Sequence, residues 1–167
     1  MASTPQTEKV VLALGSNLSD RIAALRDAAK ALGPYVTITA ASDMYETAPV
    51  YVTGQPVFLN AVLLGETKLE PLTLLRTVKT LESELGRQPT FHYGPRAIDI
   101  DIIFYGARVL ATPELHLPHP RLEEREFVLR PLADIAPGWK HPVNSLTVAE
   151  MLARVPSLKP KNLGPLL

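Results

Sequence analysis

The 167-residue sequence has no cysteine. That excludes disulfides, thiolate metal sites and thiol nucleophiles together. No apolar run approaches the length of a membrane span. The first residues, MASTPQTEK, lack the apolar stretch of a secretory signal, so the expected location is the cytoplasm. There is no net charge, because seventeen Lys and Arg balance seventeen Asp and Glu. A neutral chain argues against general binding to nucleic acid or membrane, yet leaves room for a local basic cluster around a small anion. Familiar motifs are missing too: no GxxxxGK[ST] loop, no GxGxxG, no HExxH and no GxSxG elbow. The histidines at 92, 116, 119 and 141 form no pair at metal spacing on a recognisable helix. Zinc and nucleophilic catalysis therefore have little support.

What is present is a soluble globular composition, 46% hydrophobic and 20% charged. The length suits one compact domain over residues 1–167, with loose tails at 1–8 and about 156–167. A β-rich run from Val10 ends in Gly-Ser-Asn at Asn17. Helical spacing follows through Ile22, Leu25, Ala28, Ala29 and Leu32, with Ser19 as the expected cap and Gly33-Pro34 as the stop. Tyr35–Thr47 alternates like a strand, and another strand begins near Phe58. Glu70–Gly86 is amphipathic, with Pro71 in its first turn. Ala97–Gly106 is a strand again. This order predicts an α+β fold with a ferredoxin-like βαββαβ core. Beyond Gly106 come a short hairpin, a proline-rich loop, a helix over Phe127–Ile135 and a last helix over 147–155. The final residues, PSLKPKNLGPLL, show no usable periodicity.

The stretch IDIDIIFY, Ile98–Tyr105, sets two carboxylates in a run that otherwise belongs in a core. On a strand, residues two apart share a face. Ile98, Ile100, Ile102 and Phe104 are expected on one side, and Asp99, Asp101, Ile103 and Tyr105 on the other. Neighbouring carboxylates on the order of 7 Å apart repel unless a cation sits between them. Hard oxygen ligands suit Mg²⁺, which takes one or two carboxylates and completes its shell with phosphates and water. The alternative is a solvated outer face of an edge strand. The neighbours favour the first reading. Upstream, GRQPTFHYGPR carries Arg87, His92 and Arg96; downstream, LPHPRLEEREF carries His119, Arg121 and Arg125. Guanidinium groups flanking a metal pair are what a polyphosphate needs.

The segments ALGSNL (13–18), YETAPV (45–50), GQPVFLNAV (54–62), LESELGR (81–87), YGPRAIDIDII (93–103) and LPHPRLEEREFVLRPL (117–132) resemble one family, the 6-hydroxymethyl-7,8-dihydropterin pyrophosphokinases. The resemblance implies transfer of pyrophosphoryl from MgATP to the hydroxymethyl of a reduced pterin, with AMP released, in folate biosynthesis. It implies that Asp99 and Asp101 hold two Mg²⁺ ions. Arg87, Arg96 and Arg125 would face phosphates. Lys79, Glu82, His92, Tyr93, Ile102, His119 and Arg121 would lie around the nucleotide. Phe58 and Phe127 would stack on the pterin, Asn60 would read its edge, and Thr47, Pro49, Val50 and Asp99 would line its pocket. Catalysis would rest on positioning and charge stabilisation, Asp99 and Asp101 foremost with Arg87 and Arg96. The sequence departs from its relatives at QPTFHY (88–93), where extra basic residues and a Trp are usual. Arg121 or His92 would then supply the missing charge. The 86–96 loop is expected to close over both substrates, and the chain to act as a monomer. Rival readings are a Mg²⁺-dependent phosphotransferase or nucleotidyltransferase acting on another small alcohol, and a non-catalytic ferredoxin-like binding module.

Overall fold

The computed structural model describes residues 6–17, 20–47, 57–86 and 97–167. In chain order the elements are β1 (Glu8–Ser16), α1 (Arg21–Leu32), β2 (Thr37–Ala41), β3 (Asp43–Thr47), β4 (Phe58–Thr67), α2 (Pro71–Glu84) and β5 (Asp99–Tyr105). After them come the two-residue strands β6 (Leu110–Ala111) and β7 (His116–Leu117), a 3₁₀ turn at Leu122–Glu124, α3 (Glu126–Ile135), α4 (Val148–Ala153) and β8 (Lys161–Pro165).

The main sheet runs β5-β1-β4-β3-β8, every pair antiparallel, with β2 also paired to β4. Strands β2 and β3 follow one course along β4, so the core is the expected ferredoxin-like βαββαβ. The single strand expected over 35–47 is divided at Ser42. There the side chain enters the ladder: Ser42 Oγ accepts from the Val62 N–H at 2.8 Å and donates to the Asp43 carbonyl at 2.7 Å. Helix α1 is capped by Asp20, whose carboxylate accepts from the Ala23 N–H at 3.1 Å; the expected cap, Ser19, lies outside the described residues. Helix α2 starts with Pro71, where a missing N–H costs nothing. The expected hairpin after Gly106 is the β6–β7 pair.

Both faces of the sheet are covered. Leu12, Leu14, Leu59, Leu63, Ile98, Ile100 and Ile102 pack with α1 and α2. Val11, Ala13, Val62, Ile103 and Phe104 pack with α3 and α4. The β1–β5 register slips between Val11 and Leu12, which face Phe104 and Ile102, so Ile103 is an inserted residue. That bulge corrects the sequence-based alternation. Phe104 moves to the α3 side, stacked on Trp139 with centroids 5.4 Å apart. Tyr105 turns to the α1–α2 side, where its hydroxyl donates to the Leu69 carbonyl at 2.6 Å.

The tail expected to be loose is ordered. Strand β8 pairs with β3, matching Tyr45 to Asn162 and Glu46 to Lys161, and Leu166 is 1% exposed in the α1–α2 core. Among the described residues no helix is long and apolar enough to cross a membrane.

Candidate active site

Ladder register places the expected site residues in rows across the sheet. Asp99 lies opposite Gly15, Gly15 opposite Asn60, and Asn60 opposite Tyr45. One step along, Asp101 lies opposite Ala13, and Ala13 opposite Val62. All these alternate with the core-facing residues of their strands, so they share the α3 side. Strand β1 offers only a hydrogen and a methyl group here, which leaves room for its neighbours to lean over it. A Cβ on Gly15 would fall 2.9 Å from Asn60 Oδ1 and 3.9 Å from the Phe58 ring. The glycine is thus set by close approach of a side chain. Asn60 Nδ2 donates to Thr47 Oγ1 at 2.9 Å, and both residues are buried. Tyr45 donates to Asp134 of α3 at 2.6 Å, and burial together with that carboxylate pushes its hydroxyl up to about 12.

The carboxylate pair is under electrostatic tension. Burial and the neighbouring Asp99 raise the Asp101 pKa to about 6, against the pull of Arg125 and Lys79 and with a small push from Glu82. Glu82 is 1% exposed. It accepts the N–H of Ile100, the residue between the two aspartates, at 2.8 Å, and pairs with Lys79 at 3.2 Å. A buried glutamate of α2 therefore holds β5 where the aspartates project. His119 is tied to the bulge: its N–H donates to the Ile103 carbonyl at 3.0 Å, and its Nδ1 accepts from the Arg121 N–H at 3.2 Å. Burial, then Arg125 and Arg121, lower its pKa to about 4. The ring is neutral at neutral pH, with Nε2 left to donate. The Arg125 guanidinium stands 5.4 Å from the Phe127 ring centroid, a cation–π contact. Arg121 pairs with Glu124, Nε to Oε1 at 2.6 Å.

The structure thus gathers Asp99, Asp101, Lys79, Glu82, His119, Arg121 and Arg125 around β5, and Thr47, Phe58, Asn60 and Phe127 on the side of the sheet that α3 covers. Ile102 differs. Its side chain is 4% exposed in the α1–α2 core, so only its backbone is available to a nucleotide. Pro49, Val50, Arg87, His92, Tyr93 and Arg96, and with them the expected closing loop, lie outside the described residues. Gly15, Tyr45, Asp134 and Glu126 received no individual role from the sequence. A glycine inside a strand pattern is itself a sign of close approach; Asp134 and Glu126 carry no such mark. Among the described residues no third Asp, Glu, His or Cys joins the aspartate pair as a ligand cluster. Two carboxylates alone match the modest protein share of a Mg²⁺ shell.

The family model for 7,8-dihydro-6-hydroxymethylpterin-pyrophosphokinase (HPPK) matches residues 11–137. The chain is 42% identical over 134 residues to the 2-amino-4-hydroxy-6-hydroxymethyldihydropteridine pyrophosphokinase of Aquifex aeolicus, covering 80% of this chain and 84% of that protein. It is 39% identical over 152 residues to the protein of the same name from Pseudomonas aeruginosa, covering 89% and 93%. Against the folic acid synthesis protein FOL1 of Dictyostelium discoideum it is 42% identical over 148 residues, 89% of this chain but only 22% of that one. The chain therefore spans roughly a quarter or less of such longer relatives. In three dimensions it resembles the HPPK-DHPS of Plasmodium falciparum crystallised with pteroate, with a TM-score of 0.75 at 18% identity, over 92% of this chain and 43% of that one. That likeness speaks to the fold.

Proposed function

The chain belongs to the 7,8-dihydro-6-hydroxymethylpterin-pyrophosphokinase family, and from that premise we propose that it transfers pyrophosphoryl from MgATP to the hydroxymethyl group of 6-hydroxymethyl-7,8-dihydropterin, releasing AMP, in folate biosynthesis. The observation that carries this reading is the row Asp99–Gly15–Asn60: a carboxylate for metal and phosphate beside an amide fit to read a heterocycle, with one glycine between them. The hydroxyl oxygen of the pterin bonds to the β-phosphorus of ATP. The bond from that phosphorus to the α–β bridging oxygen breaks, AMP departs with the electron pair, and the hydroxyl proton is released.

The donor set fits Mg²⁺. Asp101 holds its proton up to about 6 because burial, and then the neighbouring Asp99, disfavour its negative charge, and a cation between the two offsets that penalty. Two Mg²⁺ ions bound there would neutralise phosphate oxygens and polarise the transferred group. The chain's own residues do the rest. Glu82 fixes the β5 backbone between the aspartates. Arg125, close enough to attract Asp101, offers its guanidinium to phosphate. Neutral His119 presents a donor rather than a charge. Asn60, oriented by its bond to Thr47, keeps its carbonyl oxygen for the pterin, and Phe58 and Phe127 bound the ring. Arg87 and Arg96 complete the phosphate contacts. The work is positioning and electrostatic stabilisation, with no covalent intermediate.

The test is product analysis from MgATP with and without the reduced pterin. AMP should appear only with the pterin, mole for mole with its pyrophosphate ester, and vanish on chelation of the metal. ADP in place of AMP would make the protein a simple phosphotransferase. Absence of any metal-dependent nucleotide turnover would make it a binding module.

A further inference from the structure

The ordered tail meets the walls of the proposed pterin pocket from behind. Strand β8 extends the sheet beside β3, the strand that carries Tyr45 and Thr47. Its far end is anchored in α1: Arg26 Nε donates to the Leu166 carbonyl at 3.0 Å, and Leu166 donates to the Ser42 carbonyl at 3.2 Å. Its near end is anchored in α3. Glu126 Oε1 accepts the Leu158 N–H at 2.6 Å, while Oε2 accepts from Arg130 at 2.8 Å. Glu126 is 5% exposed, an uncommon setting for a glutamate at the first position of a helix. Burial pushes its pKa up, but Arg130, the Leu158 N–H and the Ser157 hydroxyl outweigh burial and hold it below the usual range. It is ionised and fully employed.

Glu126 stands between Arg125 and Phe127, yet the two neighbours are held differently. The Arg125 N–H is fixed by the Leu122 carbonyl at 3.1 Å in the preceding 3₁₀ turn. Phe127 lies in the first turn of α3, just ahead of Val128 and Leu129, whose N–H groups donate to the Arg125 carbonyl at 3.1 and 3.0 Å. We propose that Glu126 is a positioning residue: by clamping Leu158 it ties the C-terminal strap to α3, and so sets the separation between Phe127 on α3 and Thr47 and Asn60 on the sheet. The strap then governs the fit of the flat heterocycle more than the phosphate contacts, because Arg125, although it stacks on Phe127, is separately anchored to the 3₁₀ turn. Apolar stacking surfaces tolerate little displacement, because dispersion falls steeply with a gap of even half an ångström.

This rests on the functional reading above, and the experiment separates the two. In full-length protein, Glu126→Ala should raise the dissociation constant of the reduced pterin about tenfold while that of a non-hydrolysable MgATP analogue moves less than about twofold. Glu126→Gln, which keeps an acceptor for Leu158, should recover most of the loss. In a Phe127→Ala background, Glu126→Ala should add almost nothing, because the residue through which it acts is gone. Should Glu126→Ala not fold, Leu158→Pro, which removes the donated N–H of an exposed residue and also fixes its φ, carries the same expectation. Independently of any substrate, amide exchange in the free protein should quicken at 158 and 161–164 in Glu126→Ala. Equal losses for pterin and nucleotide, additivity with Phe127→Ala, or unchanged exchange would each overturn the proposal. Failure of the unaltered chain to bind pterin would overturn the functional reading and the substrate half of this one; the exchange result would still decide whether the clamp exists.

Discussion

On the α1–α2 side, strands β1, β4 and β5 with the residue before it present Val10, Leu12, Leu14, Leu59, Ala61, Leu63, Ile98, Ile100 and Ile102, none more than 4% exposed. On the α3–α4 side, the alternate residues of the same strands are Val11, Ala13, Gly15, Asn60, Val62, Asp99, Asp101 and Ile103. One face is apolar throughout, and branched everywhere but at Ala61. The other starts apolar at Val11 and Ile103 and becomes small, amidic and acidic two rungs later. A strand's period of two lets a single chain write both programmes into alternate letters. The first face stabilises the sheet; the second uses that rigidity to hold charged groups that would not be tolerated on a yielding support.

Replacing Asp99 or Asp101 with Ala should break the contrast most, lowering metal-dependent AMP formation by several orders of magnitude in a steady-state assay. Stability should move the other way. The folded pKa of Asp101, about 6, lies above its unfolded value. Its ionisation therefore destabilises the metal-free fold above pH 6, and that cost disappears as pH falls toward 4. Asp101→Asn should accordingly resist urea better than the parent at pH 8, by on the order of 1–3 kcal/mol, with the advantage shrinking at pH 4. A less stable variant at pH 8 would mean that the carboxylate is held by favourable contacts.

On the opposite face, Leu12→Ala should cost about 2–5 kcal/mol in urea unfolding, through lost burial and a cavity. Michaelis constants of the remaining folded enzyme should stay within about twofold of the parent, since the Leu12 side chain packs in the α1–α2 core, on the face away from the site. Between these extremes lies Gly15→Ala. The new methyl group meets Asn60 Oδ1, so the pterin Michaelis constant should rise about tenfold, one hydrogen bond's worth, with the ATP constant little changed. The smallest effect belongs to His119. Its folded pKa, about 4, lies below the unfolded value, so its contribution is lost as pH falls from 6.5 to 4. This opposes Asp101 across nearly the same window. His119→Gln should unmask a gain in metal-free stability on acidification that the parent conceals.

The strands and the aspartate pair were legible because period-two alternation and a charge in an apolar run are local signals. Ser19 and Asp20 are both good caps, and only geometry selects Asp20. The split at Ser42 and the exchange of sides by Phe104 and Tyr105 were not legible. Each depends on register with a partner strand, Val62 in one case and Val11–Leu12 in the other. Strand β8 was hidden by its composition, since KNLGP has no alternation and takes its stability from β3 and Arg26. Within the site, the residues expected to touch substrate carry recognisable chemistry. Glu82 was named only through the family resemblance and Glu126 not at all; the buried backbone partner of each shows only in the structure.

Strand β5 borders the sheet, with β1 on one side and, among the described residues, no strand on the other. A border without a partner strand can invite a second chain to add itself and seed aggregation. Here the Ile100 N–H is already taken by Glu82 and the Ile103 carbonyl by His119, the bulge spoils the flat register an incoming strand needs, and two adjacent aspartates repel a like copy. The features that equip this border for chemistry also make it a poor template. Variants that neutralise the aspartates or free the Ile100 N–H should therefore be watched for loss of solubility at high concentration as well as for loss of turnover.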